Sequence, residues 1–394
     1  MNKAILDKKV QEYIRSNVRS DIARISLSKS PFPEVSPKEL AQQIDGLKRC
    51  EIKLPLWYTT EGIYFPEKLA LEQCSSQTTA EYKAGLLFGN YVIDLTGGFG
   101  VDTASFAQVV EEVTHCEINQ ELSEIAAHNS GVLGLKVKYI PGDGIEYITA
   151  GSRRYDTMYI DPSRRAGSRK VFMLKDCEPD IISHKKLLSQ KCQRLIIKTA
   201  PLLDLQSTIK ELGTVSSIHI ISIKNECKEV LYLIDQDAPE ETDPPITCAA
   251  FYQGQAEVFT FRASEESAFV PDHYSKPLAY VYEPDVSLLK AGCFKLVSRD
   301  FSVKKLHQHT HLYTSENLQE NFIGRKFKVL NTWEYGSFTK QQKFLKANII
   351  CRNFPLDPEK IRKKLRITDG GADYLLFCTG PGNELLVIHC ERLF

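Results

Sequence analysis

The segment Asp94-Leu95-Thr96-Gly97-Gly98-Phe99-Gly100 follows an apolar run and precedes a helical stretch from about Val101. Backbone that must lie close to a ligand cannot carry Cβ atoms, and glycine is the residue that permits this approach. Ligands of open parallel sheets sit at the carboxyl ends of the strands, where such a turn falls. Three acids repeat that position along the chain. Glu117 ends the run Val113–Glu117, Asp143 stands in Pro141-Gly142-Asp143-Gly144 after Lys136–Ile140, and Asp161 ends Tyr155–Ile160. A carboxylate at Glu117 can accept both hydroxyls of a ribose, and one at Asp143 can accept from the amino group of an adenine. Asp161 then stands beside the reacting end of such a nucleoside. Each residue alone has a plainer explanation, as a helix cap or a tight turn. Four such features at four successive strand ends point together to one bound nucleoside cofactor. Asp94, Thr96, Gly97, Gly98, Gly100, Asp102, Glu117, Ile118, Asp143 and Gly144 form the candidate cofactor set. A nicotinamide site would ask for G-x-G-x-x-G, and its third glycine would fall on Thr103, which disfavours a dehydrogenase.

Asp161-Pro162-Ser163-Arg164-Arg165 opens the candidate reaction centre, with Asp161, Pro162 and Arg164 as the catalytic candidates. Arg164, Arg165, Arg169 and Lys170 make this loop basic, and Lys198 ends the next strand. Arg164, Arg165, Arg169 and Lys198 are therefore the candidate substrate contacts, suited to an anionic partner. A solvated basic loop is the plain alternative. The polar stretch Ser75–Lys83 precedes the first strand. It either caps a helix or holds a carboxylate at a helix N-terminus.

These residues need elements to position them. Strands are expected at Tyr91–Leu95, Val113–Glu117, Lys136–Ile140, Tyr155–Ile160, Arg194–Lys198, Val215–Ser222 and Glu229–Ile234, with helices between the earlier ones. That alternation predicts a mostly parallel sheet covered on both faces, and the last two strands pair antiparallel. Residues 1–80 read as helical. Ile5, Val10, Tyr13, Ile14 and Val18 share a face, and Ser36-Pro37 reads as an N-cap with proline at N1. Gln236–Pro245 is acidic and proline-rich, as a linker would be. Ala249–Phe261 reads as a β pair, Ser287–Tyr313 as helix then strand. The end reads strand, helix, strand, strand (Phe327–Thr332, Pro358–Leu365, Tyr374–Thr379, Glu384–Cys390), with a turn at Gly380–Asn383.

Composition excludes several classes. The 394 residues carry 50 Lys plus Arg against 50 Asp plus Glu, so overall charge names no partner. The 11 cysteines are odd in number and form no C-x-x-C, which argues against a disulfide framework or a zinc ribbon. Scattered thiols suit a reducing cytoplasm. Met1–Ser20 has no apolar core of a signal peptide, and no run approaches the ~20 apolar residues that cross a bilayer. A soluble cytoplasmic protein without membrane contact is the expectation. Nothing in the sequence fixes an oligomeric state.

Residues 91–235 resemble a class I S-adenosylmethionine-dependent methyltransferase. Asp94-x-x-x-Gly98-x-Gly100 is similar to that family's first motif, Glu117 to its second, Asp143 to its third and Asp161-Pro162-Ser163-Arg164 to its fourth. The family usually has glycine where Thr96 stands. The resemblance implies S-adenosylmethionine as cofactor and methyl transfer as the reaction. Amine methyltransferases carry Asp/Asn-Pro-Pro-aromatic in the fourth motif, and Arg164 stands in place of the aromatic. RNA uracil-C5 methyltransferases carry a similar Asp-Pro-Pro-Arg, but need a cysteine after the fifth strand. Here Thr199-Ala200-Pro201 follows that strand, so Ala200 fills the slot and no nucleophilic thiolate is supplied. An RNA base nitrogen is the expected target. A protein or small-molecule substrate, or an RNA-binding protein with a vestigial pocket, remain the alternatives.

Between Gly324 and Arg366 stand twelve basic residues: Arg325, Lys326, Lys328, Lys340, Lys343, Lys346, Arg352, Lys360, Arg362, Lys363, Lys364 and Arg366. Only Glu334, Asp357 and Glu359 oppose them within that stretch. Phe327, Trp333, Tyr335, Phe338 and Phe344 interleave, as stacking platforms or as core. The stretch from Lys328 onward resembles the THUMP-like domain that follows methyltransferase domains in a bacterial family, and THUMP domains recognise tRNA or other structured RNA. The resemblance implies an RNA partner, tRNA or rRNA. The expected organisation is an α/β protein with a Rossmann-like seven-stranded methyltransferase sheet. It comprises a helical region (1–80), the methyltransferase domain (81–236), an α+β ferredoxin-like connecting domain (246–324) and the THUMP-like domain (325–394). His307-x-His309-x-His311 alternates, as three imidazoles on a strand face would. No carboxylate or cysteine lies near enough in sequence to make a metal site expected.

Overall fold

A computed structural model describes residues 1–164, 173–239, 241–271, 273–341 and 343–393. Two compact units emerge. The first comprises Met1–Ser216 with Leu231–Glu241, the second Ser217–Val230 with Thr242–Phe394.

The first unit begins with helices. Helix α1 (Lys8–Ser16) starts at the Asp7 side chain, which accepts from the Lys9 amide. Helix α2 (Pro37–Lys53) starts on a full capping box: Ser36 accepts from the Glu39 amide, and Glu39 reaches back to the Ser36 amide. A cap of this kind stabilises a helix by about 1 kcal/mol. The buried faces of these helices do not form a core of their own. Val10, Ile14, Leu40, Ile44, Leu47 and Trp57 join one cluster with Phe99, Val101, Ala104 and Ile125. The Trp57 ring lies 4.6 Å from that of Phe99, inside the glycine turn. The helical front thus braces the turn from behind.

Helix α3 (Gln77–Ala84) leads to β1 (Tyr91–Asp94), α4 (Val101–Phe106), β2 (Glu112–Glu117), α5 (Gln120–Val132), β3 (Val137–Pro141), α6 (Gly144–Ala150) and β4 (Tyr155–Ile160). Then come α7 (Ile181–Lys191), β5 (Cys192–Thr199) and α8 (Leu205–Leu212). Strands β1 and β2, β2 and β3, β1 and β4, and β4 and β5 pair parallel. Strands β6 (Ser217–Ile223) and β7 (Glu226–Asp235) form the expected closing hairpin, and β7 belongs half to each unit. The strand order is β3-β2-β1-β4-β5-β7-β6.

The sheet does not stop at seven strands. In the second unit β8 (Ile246–Tyr252) pairs parallel with β6, and β9 (Gln255–Phe261) pairs antiparallel with β8. The β pair expected near Ala249–Phe261 therefore extends the large sheet to nine strands. The sequence shows two strands there but not their neighbour, because β8 is apolar enough to pair on either side.

A second, seven-stranded sheet lies in the same unit. Its strands are β10 (Tyr280–Pro284), β11 (Lys304–Lys305), β12 (Tyr313–Ser315), β13 (Gly324–Glu334), β14 (Asn348–Arg352), β15 (Asp373–Thr379) and β16 (Leu385–Arg392). They order as β11-β12-β10-β13-β16-β15-β14, and only β14 with β15 pairs parallel among the registered pairs. Helix α9 (Pro358–Leu365) connects that parallel pair. His307, His309 and His311 lie in the bend between β11 and β12, not on a strand. The His311 ring stacks on Phe294 at 4.0 Å, while His307 faces Asn383. Among the described residues no group of three His, Cys, Asp or Glu could hold a metal ion.

Candidate active site

Asp94, Glu117, Asp143 and Asp161 lie at or just past strand ends of the first unit, whereas Asp102 lies in the first turn of α4. Asp94 closes β1 and is 1 % exposed. Its Oδ2 accepts from the Thr103 hydroxyl at 2.7 Å and its Oδ1 from the Thr96 amide at 3.1 Å. These two bonds fold the turn over the strand end. Gly98 (φ +55°) and Gly100 (φ +84°) occupy the left-handed region that L side chains avoid. A Cβ on Gly98 would meet only one atom, at 3.9 Å, so the turn keeps open space on that side. At Gly97 the opposite holds: a Cβ would fall 2.1 Å from the buried His115 ring. At Gly144 it would fall 2.6 Å from the Leu95 carbonyl oxygen. Gly97 and Gly144 are thus required by the protein's own packing, and Gly98 by conformation.

Glu117 reaches across to the turn. Its Oε2 accepts from the Gly98 amide and its Oε1 from the Asn119 amide, both at 2.8 Å. Ile118, directly after it, is exposed. Asp143 caps α6, its Oδ1 accepting from the Ile145 amide at 2.6 Å and from Glu146 at 3.2 Å. Asp143 is thus the N-cap of α6, through a single oxygen.

Asp161 sits just past β4. Its amide donates to the Thr96 hydroxyl at 2.7 Å, so Thr96 ties the turn to the reaction-centre loop. Glycine, the family's usual residue at that position, could not make this bond. The Asp161 carboxylate meets the Lys198 ammonium at 2.5 Å. Ser163–Arg164 pairs antiparallel with Cys177–Glu178, which joins the two ends of the basic loop. Arg165, Arg169 and Lys170 lie outside the described residues, as does the side chain of Arg164.

Asp102 occupies a network that the sequence did not reveal. Its Oδ2 accepts from the Ser75 hydroxyl at 2.8 Å and from the Tyr159 hydroxyl at 3.1 Å, and its Oδ1 lies 3.1 Å from the Lys83 ammonium. Lys83 is fully buried and also donates to Ser75 at 2.9 Å. The Ser75–Lys83 stretch was legible only as polar residues before a strand. Thr79 and Lys83, four apart in α3, share one face of that helix, and Ser76 is its N-cap.

Burial pushes the Asp94 carboxyl up to about 7, against the bonds from Thr103 and Thr96. A folded value above the unfolded one means the native chain holds a proton that the unfolded chain has released. The associated stability is full below pH 3.8, the ordinary value, and is lost as pH rises through about 7. Asp94→Asn is expected to flatten this loss, read as the difference in urea midpoint between pH 5 and pH 8. An unchanged slope in the variant would remove Asp94 as its source. Burial also pushes the Asp102 carboxyl up, but the Lys83 and Lys198 cations and the Ser75 bond outweigh it and hold it below its ordinary value.

The chain is similar along its whole length to a solved structure from Porphyromonas gingivalis W83, described as a candidate methyltransferase. The identity is 31 %, the TM-score 0.87, and the match covers 100 % of this chain and 99 % of the other. Two strains of Mycobacterium tuberculosis have an S-adenosylmethionine-dependent methyltransferase of uncharacterised role that is 22 % identical over 315 residues. That match spans 76 % of this chain and 80 % of the relative. A 23S rRNA (uracil(747)-C(5))-methyltransferase of Pyrococcus abyssi is 34 % identical over 77 residues, 20 % of this chain and 18 % of that protein. Residues 280–322 match a ferredoxin-like domain family and residues 324–392 a THUMP domain-like family. A parallel sheet of this strand order, with acids at four strand ends around a glycine turn, is the catalytic domain of a class I methyltransferase. The chain belongs to the S-adenosylmethionine-dependent members of that class that carry a C-terminal THUMP-like domain, and S-adenosylmethionine is its cofactor.

Several basic and aromatic residues of the THUMP-like part are already engaged. Arg325 and Arg352 pair with the buried Glu283 on β10, an acid outside the stretch in which the charges were counted. Lys326 is buried and donates to the Glu320 carbonyl oxygen. Phe338 packs on Trp333, Phe344 and Phe377 at ring distances of 5.4, 6.1 and 5.9 Å. Phe338 and Phe377 are core, while Trp333 and Phe344 are partly buried against them. Lys328, Lys340, Lys343, Lys346, Lys360, Lys363, Lys364 and Arg366 remain exposed. No helix among the described residues is long and apolar enough to cross a membrane.

Proposed function

We propose that this methyltransferase acts on a base nitrogen of a structured RNA, tRNA or rRNA. The Asp161 carboxylate carries the reading. It stands at the end of β4, tied to the glycine turn through Thr96, where an acceptor for a target N–H is needed. Glu117, Asp143, Asp94 and the Thr96–Gly100 turn would hold S-adenosylmethionine, with Ile118 offering apolar surface to the adenine and Gly144 permitting the close turn. Asp102 contributes by fixing Ser75 and Lys83. The bound cofactor supplies the methyl group and a sulfonium leaving group. The protein aligns the acceptor and removes a proton. Pro162 fixes the chain after Asp161, and Arg164, Arg165 and Arg169 would meet phosphate.

Carbon methylation is disfavoured. Ala200 follows β5 where a nucleophile would be required, while Cys177 and Cys192 are buried and burial pushes the Cys192 thiol up to about 12. The exposed lysines of the THUMP-like part favour RNA over a protein or small molecule. Mass spectrometry of nucleosides from cells with and without the gene tests the reading. One methylated-nitrogen nucleoside should vanish with the gene. A full, unchanged set of modified nucleosides would overturn it.

A further inference from the structure

Two ammonium groups converge on one hydroxyl at the rim of the site. Ser75 Oγ lies 2.9 Å from Lys83 Nζ and 3.5 Å from Lys198 Nζ. Lys83 pairs with Asp102 at 3.1 Å and Lys198 with Asp161 at 2.5 Å, and the Lys198 charge also acts on Asp102. The two pairs differ in their freedom. The Lys83 side chain has no exposure and its carboxylate 11 %, whereas Lys198 has 12 % and Asp161 32 %. Lys83 is therefore a fixed cation in the wall, and Lys198 is the one with solvent access and two acceptors within reach.

The Lys198 contact conflicts with the role of Asp161. An ammonium at 2.5 Å takes one acceptor site on Oδ2 and draws off part of the charge that would attract a target proton. The cofactor brings a competing carboxylate on its amino-acid end. A charge-assisted bond to that carboxylate, with Ser75 as the second partner, compensates Lys198 for leaving Asp161.

We propose that Lys198 is a two-position residue, paired with Asp161 in one position and with the amino-acid carboxylate of S-adenosylmethionine in the other, which it takes when the cofactor binds. The Asp161 acceptor opens only after the cofactor is in place, so the cofactor precedes the methyl acceptor. This rests on Asp161 being the target's acceptor. Lys83 and Asp102 are positioning residues that keep Ser75 in place for the second position.

The test uses the full chain and two probes, S-adenosylhomocysteine and 5′-methylthioadenosine, which lacks the amino-acid carboxylate. Calorimetric titration of Lys198→Met should show S-adenosylhomocysteine weakened by about tenfold or more, the loss of one charge-assisted bond. 5′-Methylthioadenosine should bind as in the wild type, which also shows that the variant's pocket is folded. Equal weakening of both probes, or of neither, overturns the proposal. A crystal structure of the wild type with S-adenosylhomocysteine should place Lys198 Nζ on the probe's carboxylate and out of hydrogen-bond range of Asp161. Lys198 remaining on Asp161 in that complex overturns it as well. A failure here with a vanished nucleoside in the gene-deletion comparison would leave the RNA reading standing. An unchanged nucleoside set would instead remove that reading whatever Lys198 does.

Discussion

Asp161→Asn is expected to slow methyl transfer by about 10²- to 10⁴-fold, the range of a lost acid–base group. The amide keeps the shape of the side chain and its place after β4. It removes the charge that can accept a target proton and that pairs with Lys198. Affinity for S-adenosylhomocysteine should not fall, because the glycine turn, Glu117 and Asp143 are untouched. It should rise if Lys198 is set free. Single-turnover rates with the RNA named by nucleoside analysis, beside calorimetry with S-adenosylhomocysteine, separate the two effects. Near-wild-type turnover would take Asp161 out of the chemistry.

Asp102→Ala is expected to destabilise the first unit by about 3–5 kcal/mol, the usual cost of stripping one partner from a buried ion pair. The variant leaves the fully buried Lys83 ammonium without the Asp102 carboxylate and leaves the Ser75 and Tyr159 hydroxyls short of an acceptor. The double change Lys83→Met with Asp102→Leu should recover much of that loss, because no charge is then buried. Denaturant midpoints of the wild type and the two variants measure this. The sign with pH follows from the lowered folded value of Asp102. Its contribution is present above the unfolded carboxylate range and is lost as pH falls through the folded value. A small effect of Asp102→Ala at neutral pH would show that the pair contributes little.

The parallel sheet was readable because its strands are short apolar runs separated by helical periods, and because each acid follows its strand directly. Asp94, Glu117, Asp143 and Asp161 could be placed at or near strand ends for that reason. The Lys83–Asp102–Ser75 network was not, since its members are distant in sequence and only the packing of α3 beside α4 brings them together. Glu283 was missed for the same reason: Arg325 comes beside it through the pairing of β10 with β13, and Arg352 reaches it from β14, which does not pair with β10. Charge counted along a chain cannot see a counter-charge from another strand. The short strands of the second sheet, such as Lys304–Lys305, carry too few residues for alternation to show. The helix Tyr335–Gln341 was also missed, since Gly336 and Ser337 are weak helix formers.

Strand β8 hydrogen-bonds along almost the full length of β6, from Ile246 beside Ile218 to Phe251 beside Ile223. Cutting the gene in the acidic, proline-rich stretch would strip that partner away and expose a row of amides flanked by Ile218, Ile220 and Ile221. Such a fragment would be prone to self-association. A cut there divides one hydrogen-bonded sheet, so truncation at that point is expected to yield insoluble protein.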